Sequence, residues 1–184
     1  MRIFKTILAF VVLLVVFNLL NNNQGSIPPL GKFLNPFAGF WQNGSGLDDI
    51  DEVLDVRGLR ESVSVVWDER QVPHIFAKNN YDLYFAQGFL TARHRLWQME
   101  FQTHVAAGRV SEIIGSKAVN FDKTQRRRGL LLAAEETINF MQENPETQLI
   151  LQAYANGVNT WIESLTPASL PLEYKLLNYE PEVW

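Results

Sequence analysis

The chain has 184 residues, no cysteine, three histidines and a formal net charge of −4. Hydrophobic residues make up 47% and charged residues 20%, a composition typical of a globular protein and not of a disordered one. The lack of cysteine excludes disulfides, thiolate zinc sites, iron–sulfur clusters and a cysteine nucleophile within this sequence. A pI near 5.4 argues against a nucleic-acid partner, because phosphate contacts require a basic face.

The N-terminal region differs in charge from the rest of the chain. Residues 1–40 carry Arg2, Lys5 and Lys32 without any acid, a charge of +3, whereas the remainder carries −7. Arg2 and Lys5 precede an apolar run over residues 7–20. A basic start followed by an apolar run is typical of an export signal.

Two fates of this run stay open. Its fourteen residues would span about 21 Å as a helix, less than the ~30 Å of a bilayer core, but Thr6 could extend it. No A-x-A cleavage site follows it. We therefore expect residues 1–20 to be a cleaved signal peptide or a signal-anchor that contacts the membrane through residues 6–20. A buried core helix is a third alternative, but it does not explain the basic start.

Residues 21–55 are predicted to form a tether. Proline, glycine and asparagine punctuate this segment, including the Gly44-Ser45-Gly46 sequence. Four aromatic residues are interleaved, and they are expected either to dock on the folded domain or to lie at the membrane surface: Phe33, Phe37, Phe40 and Trp41. The domain itself is expected to cover residues 56–184.

The first part of this domain predicts a β-hairpin and a long helix. Residues 63–67 and 74–77 are apolar and flank a polar loop. Asn79 is a predicted N-cap and Gly108 a predicted end of the helix. The predicted buried face of this helix contains Leu83, Ala86, Leu90, His94, Trp97 and Phe101.

Further helices are predicted downstream. Residues 110–114 form a short helical turn closed by Gly115, and a basic cluster over residues 123–128 precedes an amphipathic helix that presents Leu131, Ala134, Ile138 and Met141. Asn144 and Pro145 start another helix, which presents Ile150, Tyr154, Val158, Trp161 and Leu165. The tail after Pro167 is predicted to be extended. The expected fold class is therefore α+β, mainly helical: a hairpin followed by about three packed helices.

The residues disclose no catalytic constellation. His74, His94 and His104 lack a metal-binding spacing, and His94 is predicted to be a hydrogen-bonded core residue, while His74 closes the hairpin. Adjacent Glu135 and Glu136 point in different directions on a helix and predict a solvated face.

Residues 126–128 are three arginines, which predict a solvated or salt-bridged run; an anion-binding site is the alternative. Nucleophile-elbow, P-loop and dinucleotide motifs are absent from the sequence.

Several stretches in order resemble the N-terminal (α-chain) region of the penicillin acylase family, among the N-terminal-nucleophile hydrolases. They are residues 67–77, 92–100, 107–115, 153–162 and 178–184, the last similar to the family's Y-x-P-x-x-W segment. The resemblance covers about two thirds of the chain. One departure is Ala-Arg-His-Arg-Leu at residues 92–96, where the family usually has A-Q-D-R-L.

The resemblance implies an exported amide hydrolase that removes an acyl group from a nitrogen. Such a precursor cuts itself, and the serine at the start of its β-chain attacks the acyl carbon, with its own α-amino group as base. The nucleophile, the oxyanion donors and most calcium ligands are expected in segments beyond Trp184. We therefore assign no catalytic residue, no metal ligand and no cofactor to this chain, although Ca²⁺ is possible in the complete protein.

The resemblance also implies that the hairpin and helices form part of an αββα fold and of the wall of an acyl pocket. Phe85 and Phe89 are candidates to approach that pocket, with core packing as the favoured alternative. The expected partners are the β-chain and a small acyl amide, with β-lactams and acyl-homoserine lactones both possible. Residues 56–184 alone are expected to be inactive and unstable. A different hypothesis is a non-catalytic, membrane-anchored interaction module or a truncated relic of the family.

Overall fold

The computed structural model describes residues 2–25, 27–44, 53–141 and 143–184. The first helix, α1, spans Arg2–Asn21, and none of its side chains is buried. It begins earlier than the predicted apolar run because Arg2–Thr6 contains no helix breaker and Thr6 Oγ1 donates to the Arg2 carbonyl oxygen within the helix. By length and composition this helix can cross a membrane, and a signal sequence would pass the same test.

The segment predicted to be a tether is folded over residues 27–44. A series of turns leads into a 3₁₀ helix at Phe40–Gly44, and Phe33 stacks on Phe40 with ring centroids 4.9 Å apart. Asn35 organises the turns, since its side-chain oxygen accepts from the Phe37 and Ala38 main-chain N–H groups. The prediction for residues 45–52, which include Ser45, lies outside the described residues.

The predicted hairpin is confirmed as strands β1, Ser64–Trp67, and β2, Pro73–Phe76, paired antiparallel with Ser64 opposite Phe76. Asp68 shapes the loop, because its Oδ1 accepts from the main-chain N–H groups of Arg70 and Val72 at 2.9 and 2.8 Å. These two hydrogen bonds hold the pKa of Asp68 below its usual value, and the bond from Val72 has the larger effect.

Helix α2, Asn80–Ala107, is the longest element. The predicted caps are confirmed: Asn79 Oδ1 accepts from Asp82 N–H at 2.9 Å, and Gly108 takes a left-handed conformation with φ 66°. Its buried face differs from the predicted one by about one position. The residues it buries are Asp82, Phe85, Ala86, Gly88, Phe89, Ala92, Leu96, Glu100 and His104. The prediction from apolar residues did not find this face because the face includes three polar residues, Asp82, Glu100 and His104.

Helix α6, Pro145–Ser164, begins at the predicted Asn144 cap and packs along α2. Two glycines bring the helices together. A Cβ at Gly88 would overlap the carbonyl oxygen of Tyr154, and a Cβ at Gly157 would overlap that of Phe85. The main chains therefore meet directly at this crossing, which only residues without a side chain permit.

Four shorter helices complete the unit: α3 Ser111–Ile114, α4 Val119–Arg128, α5 Leu130–Met141 and α7 Leu172–Leu177. The predicted short helical turn and amphipathic helix are confirmed as α3 and α5. The prediction of an extended tail was wrong, since α7 forms after Pro171 and buries Tyr174 and Lys175. The basic cluster is the last turn of α4, where positive side chains interact favourably with the helix dipole.

The architecture is thus mostly helical with one two-stranded antiparallel hairpin among the described residues. The core lies between α2, α6 and α7 around Ala92, Leu96, Val158 and Tyr174. This arrangement confirms the mainly helical fold class with a hairpin and an N-terminal apolar helix. The larger αββα fold remains an expectation.

Candidate functional site

A buried polar cluster lies where the C-terminal segment meets α2. Glu100 and His104, one turn apart on α2, are each 1% exposed. The Glu100 carboxylate accepts from the Tyr174 hydroxyl on α7, and its other oxygen accepts from Glu182 N–H at 3.0 Å. His104 Nδ1 lies 3.0 Å from the Glu100 carbonyl oxygen, and its Nε2 lies 3.2 Å from the Tyr179 hydroxyl.

Arg109 closes this cluster at the surface. Its guanidinium binds Glu112 and Glu182 on two sides, with Nη2–oxygen distances of 2.7 and 2.6 Å. The hydrogen bonds from Arg109 hold the pKa values of both glutamates below the usual range. Burial, together with the bond to Glu100, raises the pKa of Tyr174 well above that of a free phenol. The Tyr174 hydroxyl carries its proton at neutral pH and donates it in the hydrogen bond to Glu100.

One atom from each of Glu100, His104 and Glu182 lies within 4.8 Å of the others, so the group has the composition of a metal site. However, both Glu100 oxygens, both His104 nitrogens and the Glu182 carboxylate already contact protein groups. Among the described residues no buried side-chain nitrogen or oxygen lacks a partner. The arrangement is therefore explained as a hydrogen-bonded clamp that fixes residues 174–182 to α2.

The structure corrects the prediction for His94. This side chain is exposed rather than buried in the core, and its ring meets the Trp67 ring edge-on at 5.1 Å. The reason is local, because the α2 backbone leaves helical geometry at Arg95, where φ is −141°, and the helical face shifts there. His74 Nε2 lies 3.5 Å from Asp68 Oδ2 across the hairpin loop, as predicted for a residue that closes the hairpin.

The predicted arginine run is divided among different roles. Arg126 donates from Nε to the Gly108 carbonyl oxygen at 2.9 Å, and Arg128 donates to Gln125 at 3.1 Å. Arg127 is exposed, as are Glu135 and Glu136 on α5. Arg126 thus fastens α4 to the residue that ends α2, whereas Arg128 bonds within α4.

Phe85 and Phe89, the two candidates for a pocket wall, lie in the interface between α2 and α6. Phe85 is 1% exposed and Phe89 is 8% exposed, and Phe89 meets Trp161 edge-on at 5.5 Å. Both therefore pack in the core of the described part, which is the alternative favoured from the sequence.

A surface cavity of about 430 Å³ lies beside the α2 kink. Its lining includes Arg93, His94, Trp97, Trp161 and Glu173. The cavity combines aromatic and charged groups from α2, α6 and α7. It is open to solvent. Among the described residues that line it, Ser169 is the one serine, and its hydroxyl bonds to Thr166 rather than to a histidine that could act as a base.

Sequence reasoning missed the roles of Glu100, Arg109, Tyr174 and Glu182. A signal was present, since Glu100 and His104 are four residues apart and continue the buried stripe that passes through Ala92 and Leu96. A buried acid in such a stripe requires donors from another element, but the sequence alone could not show that α7 and the tail supply them.

The described residues define a helical unit whose buried polar groups fix helices and chain segments to one another. Comparison with known proteins places this unit. The penicillin amidase family model matches residues 62–184, and the chain belongs to this family.

Individual relatives agree with that assignment. The chain is 37% identical to penicillin acylase 2 proenzyme of Pseudomonas sp. (strain SE83) over 76% of its length, and 34% identical to penicillin G acylase of Escherichia coli over 66%. It is 32% identical over 72% of its length to the acyl-homoserine lactone acylase QuiP of Pseudomonas aeruginosa. These matches span 18%, 14% and 15% of the relatives' own lengths.

The fold agrees as well. A thermostable penicillin G acylase from Alcaligenes faecalis has a TM-score of 0.60 and 29% identity, over 67% of this chain and 65% of that one. The resemblance found in the sequence is therefore confirmed at the level of the family and of the helical unit.

Proposed function

We propose that this chain is the front, α-chain part of an acyl-amide hydrolase that acts on a linear amide of a small molecule. The observation that carries the proposal is the family match over residues 62–184, which is supported by relatives named as acylases. The chain covers less than a fifth of the curated relatives it matches, so the proposed activity belongs to a longer protein.

In this proposal the nucleophile is the N-terminal serine of a β-chain produced from the same precursor. Its hydroxyl attacks the acyl carbon, its α-amino group accepts the proton, and an amine leaves. A separate histidine base is unnecessary in this chemistry.

The described residues would then act as scaffold. The clamp formed by Glu100, Tyr174 and Glu182 fixes the tail that leads toward the rest of the precursor. Helix α5 presents exposed apolar side chains, and their burial by the β-chain is the favoured explanation. Residues 56–184 alone would be inactive and prone to aggregate. Any Ca²⁺ would be held mainly by the partner chain.

The proposal includes export. An apolar N-terminal helix is compatible with a signal sequence, and the basic residues Arg2 and Lys5 at its start favour an orientation with the domain on the far side of the membrane. The protein would be periplasmic or extracellular if the helix is cleaved, and membrane-anchored if it is retained.

The test is to express the complete reading frame and to measure amine release from a phenylacetylated amide and from a long-chain acyl-homoserine lactone. We expect turnover of at least one of them by the processed two-chain protein. Alanine in place of the β-chain's first serine should abolish both processing and turnover. Residues 1–184 expressed alone should show none.

Two results would contradict the proposal. A processed, folded protein without activity on a broad panel of acyl amides would favour a non-catalytic interaction module. Turnover by residues 1–184 alone would show that the nucleophile lies within this chain.

A further inference from the structure

The segment that follows α1 is bound at both of its ends. We call residues 30–44 the juxtamembrane strap. At its start, Gly31 N–H donates to the Leu20 carbonyl oxygen at 2.9 Å, and Leu30 N–H lies 3.5 Å from that of Leu19. These bonds satisfy carbonyl groups that the last turn of a helix leaves without intrahelical partners. The start of the strap therefore contacts the C-terminal end of α1.

At its far end the strap is fastened to α7 by a buried lysine. Lys175 is 4% exposed, and its Nζ donates to the Gly39 carbonyl oxygen at 3.1 Å, to Asn43 Oδ1 at 2.7 Å and to the Ala168 carbonyl oxygen at 2.8 Å. Two of these three acceptors belong to the strap. A buried ammonium group needs all its donors satisfied, so its burial depends on the strap being in place.

Asn43 and Lys32 add further contacts between the strap and the domain. Asn43 Nδ2 donates to the Leu170 carbonyl oxygen at 2.9 Å, and Lys32 Nζ lies 3.2 Å from a Glu180 carboxylate oxygen. The second contact is exposed and contributes little by itself. The buried contacts fix the position of the strap relative to α7.

The strap and the residues just before it expose several apolar side chains. Phe37 is 83% exposed and Trp41 is 57% exposed, and Leu34 and Ile27 lie nearby in the chain with 41% and 55% exposure. Phe33 and Phe40 stack on each other and are less exposed. Exposed aromatic side chains next to the end of an apolar helix are the pattern by which membrane proteins contact the headgroup region.

The dimensions and charges of α1 place this surface at one face of a bilayer. The apolar part of α1, residues 6–20, is about 22 Å long, and snorkelling of the Arg2 and Lys5 side chains extends its reach toward the ~30 Å thickness of the hydrocarbon core. Arg2 and Lys5 lie at its opposite end, where basic residues stay on the inner side. The strap would then lie at the outer surface.

We propose that α1 is retained as a membrane anchor and that the juxtamembrane strap holds the folded unit on the outer surface of a phospholipid bilayer, with Phe37 and Trp41 in the headgroup region. This inference rests on the export orientation proposed above. Of the two alternatives for α1, cleavage as a signal peptide and retention as an anchor, it selects retention. It gives the strap two faces: one fastened to α7 through Lys175, the other in contact with lipid.

The first test identifies the mature N-terminus of the full-length protein. We expect peptides from α1 to persist, and the protein to stay in the membrane fraction after washing with high salt and alkaline carbonate and to leave it in detergent. A mature N-terminus beyond residue 21, with the protein in the soluble fraction, would overturn the proposal.

The second test measures contact with lipid in the full-length protein, reconstituted in phosphatidylethanolamine–phosphatidylglycerol vesicles. Phe37→Cys carries an environment-sensitive NBD probe, and an equivalent label at Ser116→Cys, an exposed position on the folded unit, is the matched control. We expect lipids with a shallow nitroxide to quench the probe at 37 about twofold or more beyond the control, and beyond deep nitroxides. Quenching equal to the control would overturn the proposal. So would a blue-shifted but unquenched probe, since a second copy or the rest of the chain would then cover the strap.

The third test is directed at the clamp. Lys175→Met preserves side-chain length but removes the three donated bonds, and Lys123→Met, at an exposed position on α4, is the control. We expect main-chain hydrogen exchange at Gly39 and Phe40 to accelerate about tenfold in the first variant and to stay unchanged in the second. Unchanged exchange in both would show that Lys175 does not hold the strap. None of the three tests uses turnover, so a failure of the proposed activity would leave their outcomes unaffected.

Discussion

The direct contact between α2 and α6 makes Gly157 the most sensitive small residue in the unit. Gly157→Ala would place a Cβ within overlap distance of the Phe85 carbonyl oxygen and 2.8 Å from the Phe89 main-chain nitrogen. Both neighbours are backbone atoms of a well-packed helix, so neither can rotate away. The two helices must separate to admit the methyl group.

The magnitude follows from two opposing effects. Overpacking of a close contact costs about 1–3 kcal/mol, and backbone neighbours place this site near ~3 kcal/mol. Alanine in place of glycine within a helix returns about 1 kcal/mol. We therefore expect a net loss of about 2 kcal/mol in the free energy of local opening, which corresponds to a roughly 30-fold increase in exchange rate.

Hydrogen exchange of the full-length protein, followed by mass spectrometry, reports this opening on peptides that cover residues 85–92 and 153–160. The matched control is Gly44→Ala, because a Cβ at Gly44 meets no atom within 4 Å. If Gly157→Ala and Gly44→Ala give the same exchange rates in these peptides, the added methyl group at residue 157 does not force α2 and α6 apart. That result would refute the reasoning about the crossing.

Three other predictions concern polar side chains that hold chain segments together. Asp82→Asn should accelerate exchange at the Arg60 amide about tenfold, because an amide cannot replace both carboxylate oxygens that bind the preceding loop. Tyr174→Phe should lower stability by about 1–3 kcal/mol in denaturant titrations, because it leaves a Glu100 oxygen buried without its donor. Arg109→Met should destabilise the protein more at pH 7 than at pH 4, measured by thermal unfolding.

The sign of the last effect follows from the lowered carboxyl pKa values. Glu112 and Glu182 have folded-state pKa values below their unfolded ones, so their contribution is present above the unfolded pKa and is lost as the pH falls through the folded pKa. Without Arg109 the contribution is absent at every pH, so the difference between the proteins shrinks on acidification. An equal difference at both pH values would contradict this origin.

Each of the three has a control at a position without the same contacts. Asp55→Asn and Arg127→Met change exposed residues of the same types. Tyr154→Phe removes a hydroxyl from a half-buried tyrosine that packs against the same core. A control that lost as much stability as its partner variant would show a general effect of the substitution and not the proposed hydrogen bond.

Local signals in the sequence were sufficient for the main elements. Asn79, Gly108 and Asn144 act on their own neighbours, so the ends of α2 and the start of α6 follow from residue type and spacing. The tail was different. Helix α7 has only six residues, and its N-cap residue, Pro171, makes no capping hydrogen bond through its side chain. Its stability comes from burial of Tyr174 and Lys175 by distant segments, which local patterns do not report.

The prediction of the buried face of α2 was wrong for a related reason. An apolar periodicity leaves acids out of the buried face, whereas Asp82 and Glu100 are buried with dedicated partners. Those partners lie about twenty residues before α2 and about eighty residues after Glu100, and only the fold brings them together. The exposure of His94 likewise follows from the backbone break at Arg95, a conformation that the sequence did not predict.

The distribution of order along the unit explains how it can serve a larger protein. Helices α2 and α6 meet through glycines, and hydrogen bonds to the buried Glu100 carboxylate fasten the tail to α2. Helix α5 is the opposite, because Leu131, Leu132 and Phe140 are 47%, 60% and 74% exposed. An exposed apolar helix next to a rigid core is unfavourable in water but well suited to receive a partner surface. The rigid half therefore orients the apolar half, and the β-chain of the proposed enzyme is the partner that this orientation would serve.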